Sequence, residues 1–411
     1  MTVVTGVISG GAGAGAAADE VRDVAELTVR AEAYLRTVAP GAAQRERERE
    51  LPYQLVRDLA AARLGTFRVP RAYGGPGASI RQVMGFVLDL AAADSNIAQS
   101  VRPHFGFVEG LLRSPDEQER RRWFPRVLAG DLFGLANGEI GAPNGVIRTR
   151  IRRAGDGYRV DGSKYYCTGT LFADWVSVSA VDEAGERVTV VIPTDRAGVT
   201  LLDDWDGMGQ RLTASGTTTF DGVRVESEEE TRARPVTGPG EPRSHVTAFQ
   251  QLFLAAVEAG IARNAVADAV WFARERSRPI KHSSATRSVD DPYIQHAVGE
   301  MSARAFVAEA AVLHAADSID RALAAEEPAG LLTTASVDVA RAQYLAVESA
   351  LKSAELLFDV GGGSATAREH NFDRHWRNAR TVANHNPRHH KAGVVGAHLL
   401  TGAEPPTTGL F

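Results

Sequence analysis

The chain has 411 residues, 44% of them apolar, enough to bury two or three cores or one large α-rich core with an inserted sheet. Its formal net charge of −5 leaves no basic surplus for neutralising phosphates, which argues against nucleic acid as a main partner. A single cysteine, Cys167, rules out an internal disulfide and fits a reducing compartment, where it reads as a small buried hydrophobe rather than a nucleophile.

Residues 1–19 lack the basic segment and continuous apolar run of a secretory signal, and no later window approaches about 20 uncharged apolar residues. A cytoplasmic protein without membrane spans is expected. Gly11-Ala12-Gly13 and Ala16 mimic a dinucleotide-binding turn, but no second strand ending in an acidic residue follows about 20 positions on, so the segment reads as a flexible Gly/Ala tail.

Residues 20–131 read as an N-terminal α-helical domain. Val83, Phe86, Val87 and Leu90 follow the spacing of a buried helical stripe, and Ser114-Pro115-Asp116-Glu117 supplies an N-cap, a first-turn proline and a capping-box acid. From 132 to 231 the pattern changes to short alternating runs at 158–161, 175–180, 188–192 and 217–225. Asp156-Gly157, Asp161-Gly162 and Glu183-Ala184-Gly185 punctuate them, which predicts a middle β-domain. Beyond a Pro/Gly/Arg-rich joint at 232–243, residues 244–411 return to helical spacing. The steps of three and four through Val337, Ala340, Tyr344, Val347, Leu351, Ala354 and Phe358 suit a packed bundle. The expected class is mainly α with an inserted β-domain.

Three tracts in register with that order resemble the acyl-CoA dehydrogenase superfamily: DGSKYYCTGTLFAD at 161–174, DWDGMGQRLTASGTTTFDGVRV at 204–225, and FDRHWRNARTVANHNPRHHK at 372–391. The resemblance runs from about residue 45 to 400. It implies an N-terminal helical domain, a middle β-barrel or sandwich and a C-terminal four-helix bundle. In the dehydrogenases an R-D-A-K/R tract is followed six residues later by the glutamate that removes a substrate α-proton. Counted from Arg377-Asn378-Ala379-Arg380, that position is Asn386, an amide that cannot accept a proton at neutral pH.

Asp203-Asp204-Trp205, Ser277-Arg278-Pro279 and the R-N-x-R-T-x-x-x-H-[DN]-P pattern at 377–387 are similar to the flavin-dependent monooxygenase branch typified by dibenzothiophene monooxygenase. That resemblance implies a two-component enzyme. A separate NAD(P)H:flavin oxidoreductase supplies reduced flavin (FMNH2 or FADH2), O2 adds at flavin C4a, and the resulting peroxide oxygenates an apolar, heteroaromatic small molecule by S-oxidation or ring hydroxylation, or an amine by N-hydroxylation. It also implies a homotetramer or homodimer with the cofactor phosphate near a subunit interface.

Carried over residue by residue, the resemblance makes His385, His104 and Thr168 catalytic candidates. Asn137, Glu139, Thr168, Trp205, Arg276, Arg278, Gly361, Gly362 and Gly363 become cofactor contacts, and His104, Trp205 and Asn386 line the substrate cavity. His385 is expected to act as a general acid near pH 7. The cluster His385, His389 and His390 lacks a metal-site spacing, so no metal is assigned. The alternative is an acyl-CoA dehydrogenase or flavin oxidase with a relocated base, for which Glu258 is the available carboxylate.

Overall fold

The computed structural model describes residues 23–141, 146–226, 229–231, 242–407 and 411. The Gly11 turn, the rest of the 1–19 tail and most of the 232–243 joint lie outside the described residues. Six helices come first: α1 (Val24–Val38), α2 (Ala42–Glu48), α3 (Tyr53–Ala61), α4 (Ile80–Ser100), α5 (Arg102–Arg113) and α6 (Glu117–Ala129). Ser79 and Gln82 form a reciprocal capping box at the start of α4, and its stripe Val83, Phe86, Val87 and Leu90 is buried as the spacing predicts. The start of α6 falls two residues later than the Ser-Pro signal indicates: Asp116 is the cap, accepting from Gln118 N, and Pro115 stays outside the helix.

α4 changes character at Asp94, where φ −157° and ψ 106° break the helix. The Asp94 carboxylate accepts from the amides of Asn96 and Ile97 and is held by Arg45 at 3.0 Å, so the break is itself a buried helix start. Beyond it the buried residues turn polar: Ser95, Asn96, Gln99 and Ser100.

The strands are β1 (Phe133–Ala136), β2 (Arg150–Ala154), β3 (Gly157–Lys164), β4 (Trp175–Val181), β5 (Arg187–Pro193), β6 (Val199–Leu201), β7 (Thr218–Val225) and β8 (Glu230–Thr231). They form one sheet in the order β6-β7-β3-β2-β4-β5-β8, with β1 parallel to β4, Phe133 opposite Trp175. The four predicted strands lie within β3, β4, β5 and β7. The rest are short or, like the RIRRA of β2, charged enough to carry no apolar alternation.

Five helices complete the chain: α7 (His245–Glu275), α8 (Pro292–Leu323), α9 (Ala329–Gly361), α10 (Asp373–Ala383) and α11 (Arg388–Thr401). From His245 to Ala262 every residue of α7 except Gln250 is buried, because α4, α8, α9 and α10 pack around it. A helix in that position must be apolar on all faces. One core cluster accordingly runs through α1, α3, α4, α7, α8, α9 and α10, so the N-terminal helices share their core with the bundle. In the α9 seam Val337, Ala340, Val347 and Ala354 are buried.

Polar contacts fasten α10 across this junction. Arg377 reaches Glu46 at 2.7 Å, Asn371 donates to the same carboxylate at 2.6 Å, and Asn378 Oδ1 accepts from Gln210 N at 2.6 Å. Gly209 packs so tightly on the Arg377 carbonyl that no side chain fits there. Glu46 is 1% exposed, so removing its partner strands a buried charge. Arg377→Met should destabilise the protein by about 3 kcal/mol in urea unfolding, and Glu46→Gln combined with Arg377→Met should recover part of that loss.

Candidate active site

Three segments that are far apart in sequence are linked by contacts at the candidate site. The β3–β4 loop and the 202–217 segment are laced together by Cys167 N to Gly216 O and Gly169 N to Thr213 O. Gly169 lies against the Ser100 carbonyl at the end of α4, close enough to forbid a Cβ. Two residues on, Arg102 opens α5 and donates from Nη2 to His385 Nε2 at 2.9 Å. The neighbouring Asn386 donates from Nδ2 to Gln251 Oε1 on α7 at 2.5 Å, and Lys391 Nζ donates to the same oxygen at 3.3 Å.

The His385 side chain is exposed by surface area, yet the protein packed near its ring first, then the charges of Arg102 and Lys391, push its pKa down to about 3. An arginine is a donor only, so Nε2 must be the acceptor and the ring proton sits on Nδ1. At neutral pH His385 is therefore a neutral N–H donor of fixed tautomer, not the imidazolium that general-acid chemistry near pH 7 calls for. Burial also lowers Lys391 to about 7. Asn386 is 2% exposed, and its Oδ1 has no hydrogen-bond partner.

Glu258 is two turns from Gln251 on α7, fully buried, with neither carboxylate oxygen hydrogen-bonded. Burial raises its pKa well above the ordinary range despite Arg380 and Arg388 nearby. Fully buried, it is enclosed by protein, and burial favours its neutral form, which speaks against the relocated-base alternative.

The other candidates divide. Thr168 belongs to a hydroxyl chain: Thr213 Oγ1 donates to Gln210 O at 2.9 Å and so accepts from Ser215 Oγ at 2.7 Å, which in turn accepts from Thr168 Oγ1 at 2.8 Å. That order leaves the Thr168 oxygen free to accept a further proton donor. Trp205 is fixed by Nε1 to Gln210 O at 2.8 Å and forms an aromatic ledge with Tyr165 and Tyr166, whose ring centres lie 6.3 and 6.0 Å away. Tyr166 is exposed and left-handed at φ 59°. The Asp203 carboxylate grips Arg49 at 2.6 Å, and Asp204 accepts from Thr217 N at 2.7 Å, so these two acids shape the loop that carries Trp205.

His104 is 2% exposed and committed elsewhere. Nδ1 accepts from Phe133 N at 3.3 Å, which leaves Nε2–H to donate to Gly65 O at 3.0 Å. With both ring nitrogens spent on backbone, it has none to offer a flavin or substrate. Glu139 is likewise taken up, by Lys164 at 2.6 Å, Thr149 Oγ1 at 2.8 Å and the amides of Arg148 and Thr149. These partners outweigh its burial and hold it at about 2, so it is charged although burial draws Lys164 downward. Asn137 is exposed and accepts from Ser179 Oγ at 2.7 Å, which leaves its Nδ2 for a ligand.

Arg276, Arg278, Gly362 and Gly363 are exposed at the far end of the bundle. Gly361 differs from its neighbours, being packed on Ala365 and Phe272, whereas Gly362 (φ 55°) and Gly363 face open space. Arg276 is 25 residues along from Gln251, about 37 Å at 1.5 Å per residue. No single flavin mononucleotide spans from this end to His385 within one chain. Among the described residues no group of three His, Cys, Asp or Glu side chains is placed to hold a metal. No helix among them is long and apolar enough to cross a membrane. A surface hollow of about 360 Å³ beside α2 and α3, lined by Gly41, Gln44, Arg45 and Tyr53 among others, includes none of the candidate residues.

Comparison with known proteins agrees with this geometry. Residues 19–131 match the model of the acyl-CoA dehydrogenase N-terminal domain and 252–388 that of the C-terminal domain. The dibenzothiophene monooxygenase of Rhodococcus erythropolis is 31% identical over 402 residues, covering 92% of this chain and 91% of that protein. The chain belongs to the acyl-CoA dehydrogenase family, on its flavin-monooxygenase branch. The probable FMNH2-dependent monooxygenase SfnC of Pseudomonas putida is 32% identical over 356 residues, covering 82% of this chain and 85% of its own. Among solved structures, TdsC of Paenibacillus sp. A11-2 in complex with FMN and indole superposes with TM-score 0.85 at 28% identity, over 93% of this chain and all of TdsC.

Two residues of this monooxygenase's cleft, Arg102 and Gln251, escaped the sequence reading. Gln251 carried a signal: it is one of the few polar residues in the buried part of α7, with His245, Thr247, Gln250 and Glu258. Arg102 carried none, because an arginine opening a helix is ordinary until its neighbour is known.

The buried His104 gives a pH test. Burial lowers it to about 4 in the fold, while in the unfolded chain it titrates near 6.5. Between these values the unfolded state binds more protons, so its contribution to stability is complete above pH 6.5 and is lost as pH falls toward 4. Thermal unfolding should show a melting temperature that declines below pH 6.5. In His104→Gln the slope should be shallower and the stability at pH 8 lower by about 1–3 kcal/mol.

Proposed function

We propose that this flavin-dependent monooxygenase uses reduced flavin and O2 to oxygenate an aromatic small molecule in the cleft between His385, Thr168 and Trp205. The observation that carries the proposal is the pairing of a neutral His385 with Asn386 where the dehydrogenases have their base, while Glu258 is sealed away.

The residues present suit a flavin. Thr168 Oγ1, made an acceptor by the Ser215–Thr213 chain, matches the N–H that a reduced flavin carries and an oxidised one lacks. Asn137 Nδ2 offers a donor for a ring carbonyl, and the Trp205, Tyr165 and Tyr166 rings offer an apolar wall. Arg278 with Gly362 and Gly363 suits a phosphate, since the glycines leave their backbone uncovered and the guanidinium matches phosphate oxygens. The separation of about 37 Å along α7 supports assigning such a phosphate to a flavin whose ring lies in another subunit, and with it a homo-oligomer in which each site is completed by a neighbour.

Reduced flavin, when bound, supplies the electrons that activate O2. His385 Nδ1–H donates to the oxygen transferred, and the ring is kept from ionising by burial first and then by Arg102. Asn386, tied to Gln251, holds the loop that carries His385 and withholds any base from the substrate's C–H bonds. The aromatic ledge excludes water from the reacting oxygen. An FMN-reducing partner enzyme and an apolar heteroaromatic substrate accord with the relatives' names, in particular indole in TdsC.

Stopped-flow mixing of the protein and reduced FMN with oxygenated buffer tests this. A transient absorbance that outlasts oxidation of free reduced FMN is expected, and simple oxidation at the rate of free flavin would refute it. His385→Phe should bind reduced FMN normally and lose roughly a hundredfold or more in oxygenation of indole.

A further inference from the structure

Several enclosed arginines in this fold are neutralised by a carboxylate: Arg45 holds Asp94, Arg68 holds Glu109, Arg374 holds Asp268 and Arg377 holds Glu46, each within 3.0 Å. Arg102 is not one of them. Among the described residues its one protein partner is the neutral His385, no carboxylate lies within ion-pair distance, and its Nε is buried without a hydrogen bond. Burial alone lowers its pKa, to about 10, and no acid offsets the effect.

The surroundings do not compensate it. No acid offsets its burial, and Lys391, which acts on the same His385, is a cation whose pKa burial draws down to about 7. A guanidinium is a poor candidate for relief by deprotonation, and an unpaired buried charge is costly. Of its five N–H donors, one is spent on His385. Arg102 itself stands two residues after Ser100, against whose carbonyl Gly169 is packed.

We propose that Arg102 docks an oxyanion group, a carboxylate or sulfinate, on the organic molecule that is oxygenated. The substrate class is thereby narrowed from apolar rings to aromatic acids, with the ring on the Trp205–Tyr165–Tyr166 ledge and the acid on Arg102 beside His385. This rests on the monooxygenase reading for its chemistry but not for its binding. The planar guanidinium fork matches two oxygens of such a group and discriminates against a neutral amide or sulfone of the same shape.

The test uses the full-length protein with reduced FMN under anaerobic conditions and calorimetric titration of matched probes: indole-3-carboxylate against indole-3-carboxamide, and benzenesulfinate against methyl phenyl sulfone. Wild type should bind at least one acid roughly ten- to hundredfold more tightly than its neutral partner. Arg102→Met should bring that ratio to about one, and Arg102→Lys, which keeps the charge and loses the fork, should restore part of it. If neither acid is preferred by wild type, the assignment is overturned. The same variants are titrated with reduced FMN and reduced riboflavin. If Arg102→Met weakens FMN binding but not riboflavin binding, the anion on Arg102 is the cofactor phosphate and the assignment is equally overturned. An acid preference that depends on Arg102 in a protein giving no transient with O2 would retain the subsite and refute the monooxygenase reading instead.

Discussion

The structure depends on the burial of α7. A helix wrapped on every side by α4, α8, α9 and α10 has no face on which a polar group can meet water, so each polar side chain on it must be satisfied by the elements around it or left at a cost. Gln251 is satisfied by Asn386 and Lys391, and in being so it fixes the loop that carries His385. Glu258 has no hydrogen-bond partner, and burial favours its neutral form. One geometric fact, a central helix whose buried polar side chains are few and include Gln251 and Glu258, thus bears both on the position of the candidate catalytic histidine and on the carboxylate nearest in sequence to Gln251 on that helix.

The motifs that point to the family do mostly mechanical work. Arg377 and Asn378 of the R-N-x-R-T pattern tie α10 to Glu46 and to Gln210, and Gly209 lets the two backbones touch. Asp203 and Asp204 of the D-D-W pattern close the loop through Arg49 and Thr217, leaving Trp205 to face the aromatic ledge. Binding and chemistry fall to the residues that these anchors leave over. That division accounts for the sequence reading's success with the fold and its mixed result with individual site residues.

Helix and strand order were legible because period 3.6 and period 2 survive in single segments, as in the α4 stripe and in β4 and β5. The placement of His385 beside Asn386 came from one short tract. What was not legible is whatever depends on a partner distant in sequence. His104 looks like any other histidine two residues from Arg102 until Gly65 and Phe133 are seen to occupy both its nitrogens. Glu139 looks available until Lys164 and Thr149 are found on it. The exposed phosphate candidates at the far end of α7 appear in the same family pattern as His385, and only a length along a helix separates them.

Electrostatics link these findings. In a dehydrogenase site a carboxylate at the position of Asn386 would neutralise a nearby cation. Here the amide leaves Arg102 without a counter-charge, and the same guanidinium, by donating to His385 Nε2, keeps the imidazole neutral and its proton on Nδ1. Losing the base therefore does more than remove one reaction. It leaves a positively biased site beside a fixed N–H donor in place of one that draws protons off a substrate, and on the proposal that Arg102 docks an oxyanion this bias is what would favour negative charge in the molecule oxygenated.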